Sequence, residues 1–253
     1  MTIATEPLYA TLAARLRQQI AAGAFADGKL PSEATLAREH DLARGTVRSA
    51  IDELVAEGLV ISHNGRGHYV RTSTPLVWRA SDPERNTDTS TSPSGAWARS
   101  VRAQGREPAE LIGSQIGYAD DRIAAWLDLP VGEPVSIRRR VRLVDGEQYS
   151  TADSWYPRSI VAGTEVELPG DVLPGIYAVF ERLGRPWVRT VDRWIARPPT
   201  RDEARELHIP RGVAVAEVVR RSFDAAGIPV RLSIFVLPGD RHEIEYEHTE
   251  DPS

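Results

Sequence analysis

The chain has 253 residues, 41 % of them hydrophobic and 26 % charged, which suits a globular protein able to bury one large core or two ordinary ones. It contains no cysteine, so disulfide scaffolding, thiol catalysis and cysteine-based zinc sites are excluded. The formal charge is −5, against a uniformly basic nucleic-acid binder, but residues 1–74 carry eight basic and eight acidic side chains, and the distribution of charge matters more than its sum.

Residues 1–9 lack a basic start followed by an apolar run, and no stretch of about 18 apolar residues occurs, so neither a leader nor a membrane span is expected and the cytoplasm is the expected compartment. Residues 7–22 read as a helix, with Leu8, Leu12, Leu16 and Ile20 forming a stripe at a spacing of four. Leu30-Pro31-Ser32 leads into a second, short helix with Ser32 as N-cap. A tight connection at 41–43 opens a third helix over 44–57, with Val47, Ala50, Ile51 and Leu54 facing inward and Gly58 as its stop. The pattern then changes from period 3.6 to period 2. Strands at 59–63 and 68–71 flank Asn64-Gly65, a hairpin signal because both residues tolerate positive φ. Three helices and a hairpin make a winged helix-turn-helix, assigned to residues 1–72.

Residues 73–94 turn to Thr, Ser, Pro and Asp and read as a linker that cannot bury enough apolar surface to order itself. A second domain over 95–247 alternates helices (96–104, 120–128, 175–183, 200–207) with strands (109–118, 135–144, 148–155, 187–197, 213–223, 229–236). In 135–144 the alternation is sharp: Val135, Ile137, Val141 and Leu143 on one side, Ser136, Arg138, Arg140 and Arg142 on the other. Trp155, Trp187 and Trp194 read as core. Residues 248–253 are expected to be a disordered tail. The fold class is α+β: a winged helix-turn-helix followed by an α/β domain with a mostly antiparallel sheet.

Arg44 and Arg48 stand one turn apart at the start of the third helix, opposite its apolar side, where a reading helix enters the major groove. Arginine there bonds phosphate or the O6 and N7 edge of guanine. Gly45 lets the backbone approach DNA, and Thr46 offers a hydroxyl. The alternative is a solvated helix face, which the flanking pattern opposes. Leu30-Pro31-Ser32-Glu33, Leu36-Ala37, Arg44-x-Thr46-Val47-Arg48, Glu57-Gly58-Leu59-Val60 and Gly65-Arg66-Gly67-x-Tyr69-Val70 occur in order over residues 7–71 and closely resemble the GntR family of bacterial regulators. The resemblance implies that the wing also touches DNA, through Asn64, Gly65, Arg66 and His68. Ala34 and Ala43 replace residues the family usually has as arginine and as serine or threonine, and Arg38, one turn further on, is the candidate to compensate for the first.

The second domain resembles the UTRA sensor domain of the HutC subfamily in Arg140-Val141-Arg142, Asp145-Gly146-Glu147, Ile176-Tyr177, Arg220-x-x-Phe223-Asp224, Gly227-Ile228-Pro229-Val230 and Gly239-Asp240-Arg241. That resemblance implies a chorismate-lyase-like fold that binds an effector and dimerises, without catalysis. Arg140 and Arg142 point the same way and need an anion or a carboxylate between them, and the first N–H groups of a helix at Gly175, Ile176 and Tyr177 form a second anion-binding element. In phosphosugar-sensing relatives these positions hold a phosphate. Two glutamates of those relatives become Ala152 and Arg231 and an aromatic becomes Leu237, which argues against an amino-sugar phosphate. Arg231 suits a more acidic or quite different ligand, with Asp153, Ser154 and Tyr177 as further polar contacts. The alternative for the arginine pair is a carboxylate on a neighbouring strand.

Together these readings imply a homodimer on a pseudo-palindromic operator, a repressor released by a small metabolite, with an anion as the candidate class. The partners are double-stranded DNA and the effector, with no cofactor, metal or membrane. An enzyme is the rival reading. The chain has no Gly-x-Ser-x-Gly or His-Glu-x-x-His, its six histidines have no metal spacing, and capping and surface roles explain the carboxylate pairs Asp171/Glu181 and Asp202/Glu203. An all-helical sensor, known from other GntR subfamilies, is opposed by the strands at 135–144 and 213–236.

Overall fold

A computed structural model describes residues 7–63, 67–71, 75–80, 95–210 and 212–247. The chain forms two compact units, residues 1–74 with 198–214 and residues 75–197 with 215–253.

The smaller unit begins with α1 (Leu8–Ala21), α2 (Glu33–Glu39) and α3 (Arg44–Ala56), followed by the antiparallel pair β1 (Val60–His63) and β2 (Gly67–Val70). Leu12 and Leu16 of α1, Leu36 of α2, and Val47, Ala50, Ile51 and Leu54 of α3 close one core. Leu8 is an exception to the α1 stripe: it is the first residue of the helix and is 63 % exposed. The Ser32 side chain accepts from Thr35 N at 3.1 Å, so the expected cap starts α2. Ala43 caps α3 without a side-chain bond. The segment 198–214 carries α8 (Arg201–Glu206), opened by the capping box of Thr200 and Glu203, and groups with this unit although the sequence assigned it to the second domain. Gly212 (φ +85°) allows the close approach, since a Cβ there would collide with the Ala56 carbonyl at the end of α3.

The larger unit is built on a six-stranded sheet in the order β4-β5-β6-β9-β8-β7, antiparallel throughout. Its strands are β4 (Pro108–Tyr118), β5 (Pro134–Val144), β6 (Glu147–Pro157), β7 (Trp187–Arg197), β8 (Val215–Asp224) and β9 (Pro229–Pro238). One face is covered by α5 (Asp121–Leu127), where Ile123, Ala124 and Leu127 meet Val135, Val219, Leu232 and Ile234. The other face carries α4 (Gly95–Ala103), α6 (Arg158–Val161) and α7 (Ile176–Arg182) around its edges. Two short elements were not expected. β3 (Leu76–Arg79) pairs in parallel with β10 (His242–Glu245). The expected linker therefore contains a strand of the larger unit, because Leu76-Val77-Trp78 is an apolar run that finds a partner 166 residues away in sequence, a pairing that local composition does not reveal. Residues 81–94, Asn64, Gly65 and Arg66, and the tail 248–253 lie outside the described residues.

Candidate functional sites: a reading helix and a sensor cavity

In the smaller unit, the outer side of α3 presents Arg44, Gly45 and Arg48 to solvent, with Thr46 half-buried, while Val47 anchors the inner side. Arg44 makes no hydrogen bond or ion pair among the described residues, nor does the exposed Arg38 of α2. Arg48 donates to Glu33 at 2.8 Å yet stays 66 % exposed, and this bond holds the Glu33 carboxyl below the usual carboxylate range. Exposed pairs of this kind contribute little to stability and exchange readily for another anion. A Cβ added to Gly45 would meet nothing within 4 Å, so the start of the helix is open. His68 is drawn inward: its Nδ1 lies 2.8 Å from Ser62 Oγ and its Nε2 3.6 Å from Glu33. Glu33 thus ties reading helix and wing together, a part that the sequence pattern did not suggest.

In the larger unit, the sheet face opposite α5 forms the floor of a cavity of about 260 Å³. Alternation along β5 and β6 turns Arg140, Arg142, Ser150, Ala152 and Ser154 into it, and β9 adds Arg231, Ser233 and Phe235. β3 and α4 supply Trp78 and Trp97, and the start of α7 supplies Gly175, Ile176 and Tyr177. Seven of the eight expected effector residues therefore converge. Asp153 is the correction: it faces away, on the side of Trp155 and Ile234, because strand neighbours point to opposite faces and Ser154 takes the cavity side.

The two arginines of β5 have different surroundings. Arg142 stands opposite Glu110 of β4, donates to it at 3.0 Å, and lies between the rings of Trp97 (4.8 Å) and Phe235 (5.6 Å). The carboxylate alternative thus holds for Arg142, which is part of the wall. Arg140 reaches Glu110 only at 3.9 Å and makes no hydrogen bond among the described residues, although its side chain is 14 % exposed. Asp171, also on the cavity, has its carboxyl pushed up by burial and by the nearness of Glu110. Arg231 lies over the Trp187 ring at 4.5 Å, so Trp187 is both core and cavity wall. Trp155 and Trp194 pack into the hydrophobic clusters as expected. Arg220 is bound by both oxygens of Asp192 at 2.7 and 2.6 Å.

Arg138 sets the cavity rim. It is fully buried and donates to the carbonyls of Val166 and Leu168 at 3.0 and 2.7 Å and to that of Gly170. Burial and the neighbouring Arg140 pull its pKa down. The loop so held runs through the cis Leu173-Pro174 bond into Gly175, whose φ of +144° favours glycine. α7 then has only seven residues, too short to develop the dipole expected of it, so the cation at Arg140 is the stronger attraction for an anion. Sequence reasoning missed Glu110, Asp171, Trp78, Trp97 and Ser150. The alternation that marked Arg140 also predicts that β4 and β6 residues on the same face meet it, but only the register says which.

A winged helix-turn-helix with an open, arginine-bearing helix, joined to a sheet domain that encloses a small polar cavity, defines a DNA-binding transcriptional regulator with a sensor domain. The chain belongs to the GntR family of bacterial regulatory proteins, whose pattern matches residues 8–70, and carries a UTRA domain over residues 103–243. It is 32 % identical, over 95 % of its length and 94 % of the relative's, to the HTH-type transcriptional regulator RB1450 of Rhizobium meliloti (strain 1021), which is itself uncharacterised. It is 28 % identical, over 89 % of its length and 88 % of the relative's, to the probable fructoselysine utilization operon transcriptional repressor of Escherichia coli (strain K12). Among solved structures, a GntR-family transcriptional regulator superposes with a TM-score of 0.62 at 25 % identity, covering 97 % of this chain and 99 % of that one. PhnF from Mycobacterium smegmatis shares the fold, with a TM-score of 0.57 at 22 % identity over 94 % of this chain and 99 % of that one. The rival enzyme reading is set aside, and among the described residues no helix is long and apolar enough to cross a membrane.

Proposed function

We propose that the chain is a repressor that leaves its operator when a small anionic metabolite enters the sensor cavity. The observation that carries the reading is Arg140: a guanidinium largely removed from water, on the cavity wall, with no hydrogen bond to the protein among the described residues. Such a group is costly to keep unless an anion completes it. On the DNA side, Arg44 and Arg48 read or grip the major groove, Gly45 and Thr46 allow the backbone to approach, and Arg38 adds a phosphate contact. Asn64, Gly65 and Arg66 reach DNA from the wing, with His68 positioning it. Two copies present two such helices to a pseudo-palindromic site.

The relative from Escherichia coli is named a probable transcriptional repressor of a fructoselysine utilization operon. The cavity of this chain has Ala152 and Arg231 where a sugar-amine sensor would place carboxylates, so its ligand is of another class. A gel-shift titration on genomic operator fragments tests the reading. Arg44→Ala/Arg48→Ala abolishes the shift while the far-UV spectrum is unchanged. Arg140→Ala keeps the shift and loses its reversal by the anion that releases wild type. Retained binding in the double variant, or retained reversal in Arg140→Ala, contradicts the respective assignment.

A further inference from the structure

The cavity has two chemically different ends. At one end stand Arg140 and Asp171 beside the start of α7. At the other, beneath β3 and α4, the walls are Trp78, Trp97, Val101, Phe235 and Leu237. Of the cations at that end, Arg142 is already held by Glu110 and flanked by two rings. The polar groups among these walls other than Ser150 already have partners: Arg220, over the Trp78 and Phe235 rings, is held by Asp192, Gln104 bonds Val77 and Ser100, and His242 bonds the Pro238 carbonyl. Ser150, opposite Arg142 on β6, is 1 % exposed, lines the cavity, and its Oγ has no hydrogen-bond partner among the described residues. The other hydroxyls on the floor, Ser154 and Ser233, bond each other at 2.8 Å.

A buried hydroxyl without a partner is costly, and a ligand atom that pairs with it removes that cost. A ligand carrying many hydroxyls would gain little here: it would set them against rings, methyl groups and polar groups that already have partners. A flat ring gains the most, because it stacks on Trp97 or Trp78 and keeps water from the walls. The volume of about 260 Å³ admits a single ring with short substituents.

We infer that the effector is a small anion, carboxylate or phosphate, joined to an aromatic ring, with the anion at Arg140, the ring beneath β3 and α4, and one polar ring substituent meeting Ser150. This rests on the reading of Arg140 as the anion's partner, and names the class of ligand for the same cavity.

Calorimetric titration of the full chain with four probes tests it: benzoate, phenyl phosphate, inorganic phosphate and glucose 6-phosphate. At least one of the ring-bearing anions binds about tenfold or more tightly than inorganic phosphate and glucose 6-phosphate, and which of the two does so identifies the head group. Ser150→Leu fills the ring's seat and weakens that probe by about tenfold or more without changing inorganic phosphate binding. Trp97→Ala, which removes a lid ring and overpacks nothing, weakens it in the same way, so a folding defect in the first variant does not decide the matter. Glucose 6-phosphate binding as tightly as the ring-bearing probes overturns the inference, as does failure of both ring-bearing probes to bind. If Arg140→Ala then abolishes phosphate and glucose 6-phosphate binding, the anion site stands without the ring. If Arg140→Ala binds phenyl phosphate like wild type, the anion site itself is misplaced.

Discussion

At the scale of single residues, this protein uses arginine in three distinct ways. Arg44 is left in solvent without a partner among the described residues, Arg138 is buried to hold backbone carbonyls, and Arg140 is removed from water but incompletely paired. The guanidinium's delocalised charge and five donors make all three tolerable, where an ammonium would be harder to bury. His242 adds a pH response. Its Nδ1 lies 3.0 Å from the Pro238 carbonyl and its ring meets Tyr149 edge-on, while burial, with Arg241 and Arg142 nearby, pulls its pKa down to about 4. In the unfolded chain a histidine takes up its proton near pH 6.5, so between about 6.5 and 4 protons favour the unfolded state. The stability contributed by a neutral His242 is therefore complete above pH 6.5 and is lost as the pH falls toward 4. Urea unfolding of the wild type at pH 7.5 and pH 5 is expected to show the loss, and His242→Gln is expected to lessen it. Equal pH slopes in both proteins would contradict this.

At the scale of elements, the loop from Gly163 to Gly175 matters most, because it forms the cavity rim yet has little regular structure beyond a 3-10 turn at Glu165–Glu167. Glu167 accepts from Ser136, Arg158 and Gly163 N, and the Gly163 bond leads in holding its carboxyl low. Arg138 meets the same loop from below. Arg138→Met keeps the bulk but leaves the carbonyls of Val166, Leu168 and Gly170 without their donor, so a loss of about 3 kcal/mol or more is expected. Chemical denaturation measures it, and a loss below about 1 kcal/mol would show that water replaces the guanidinium at that rim. None of this was visible along the chain. Arg138 belonged to the polar side of β5 with Arg140 and Arg142, and only the closing loop separates a structural arginine from a ligand-facing one.

At the scale of the whole molecule, the elements above the cavity are those that flank the segment connecting them. β2 ends at Val70, β3 starts at Leu76, and α4 starts at Gly95. Leu76–Arg79 and residues of α4 line the cavity, and the Gln104 side chain bonds both the N–H and the carbonyl of Val77, at 2.8 and 3.1 Å. Under the proposed release by an effector, a ligand that favours one arrangement of β3 and α4 is expected to bias the segment between β2 and β3, and with it operator binding. The proposed homodimer makes that bias readable on DNA. Light scattering is expected to return twice the 27.9 kDa chain mass, and footprinting two protected half-sites about 34–36 Å apart, or a multiple of that. A monomer protecting a single half-site would remove the palindromic arrangement.

The sequence by itself determined the third helix with its exposed arginines, the hairpin after it, the order of the six sheet strands along the chain and the arginine-bearing face of β5, because each is a local pattern of period 3.6 or 2, or a turn signal confined to a few neighbours. Only the tertiary structure decided that Asp153 faces away, that Arg142 is hydrogen-bonded to Glu110 while Arg140 is not, that residues 76–79 form a strand, and that Ser150 is buried without a hydrogen-bond partner among the described residues. Those outcomes depend on strand register and on pairings between residues far apart in the chain, and a shift of one residue in register would reverse every one of the facing choices.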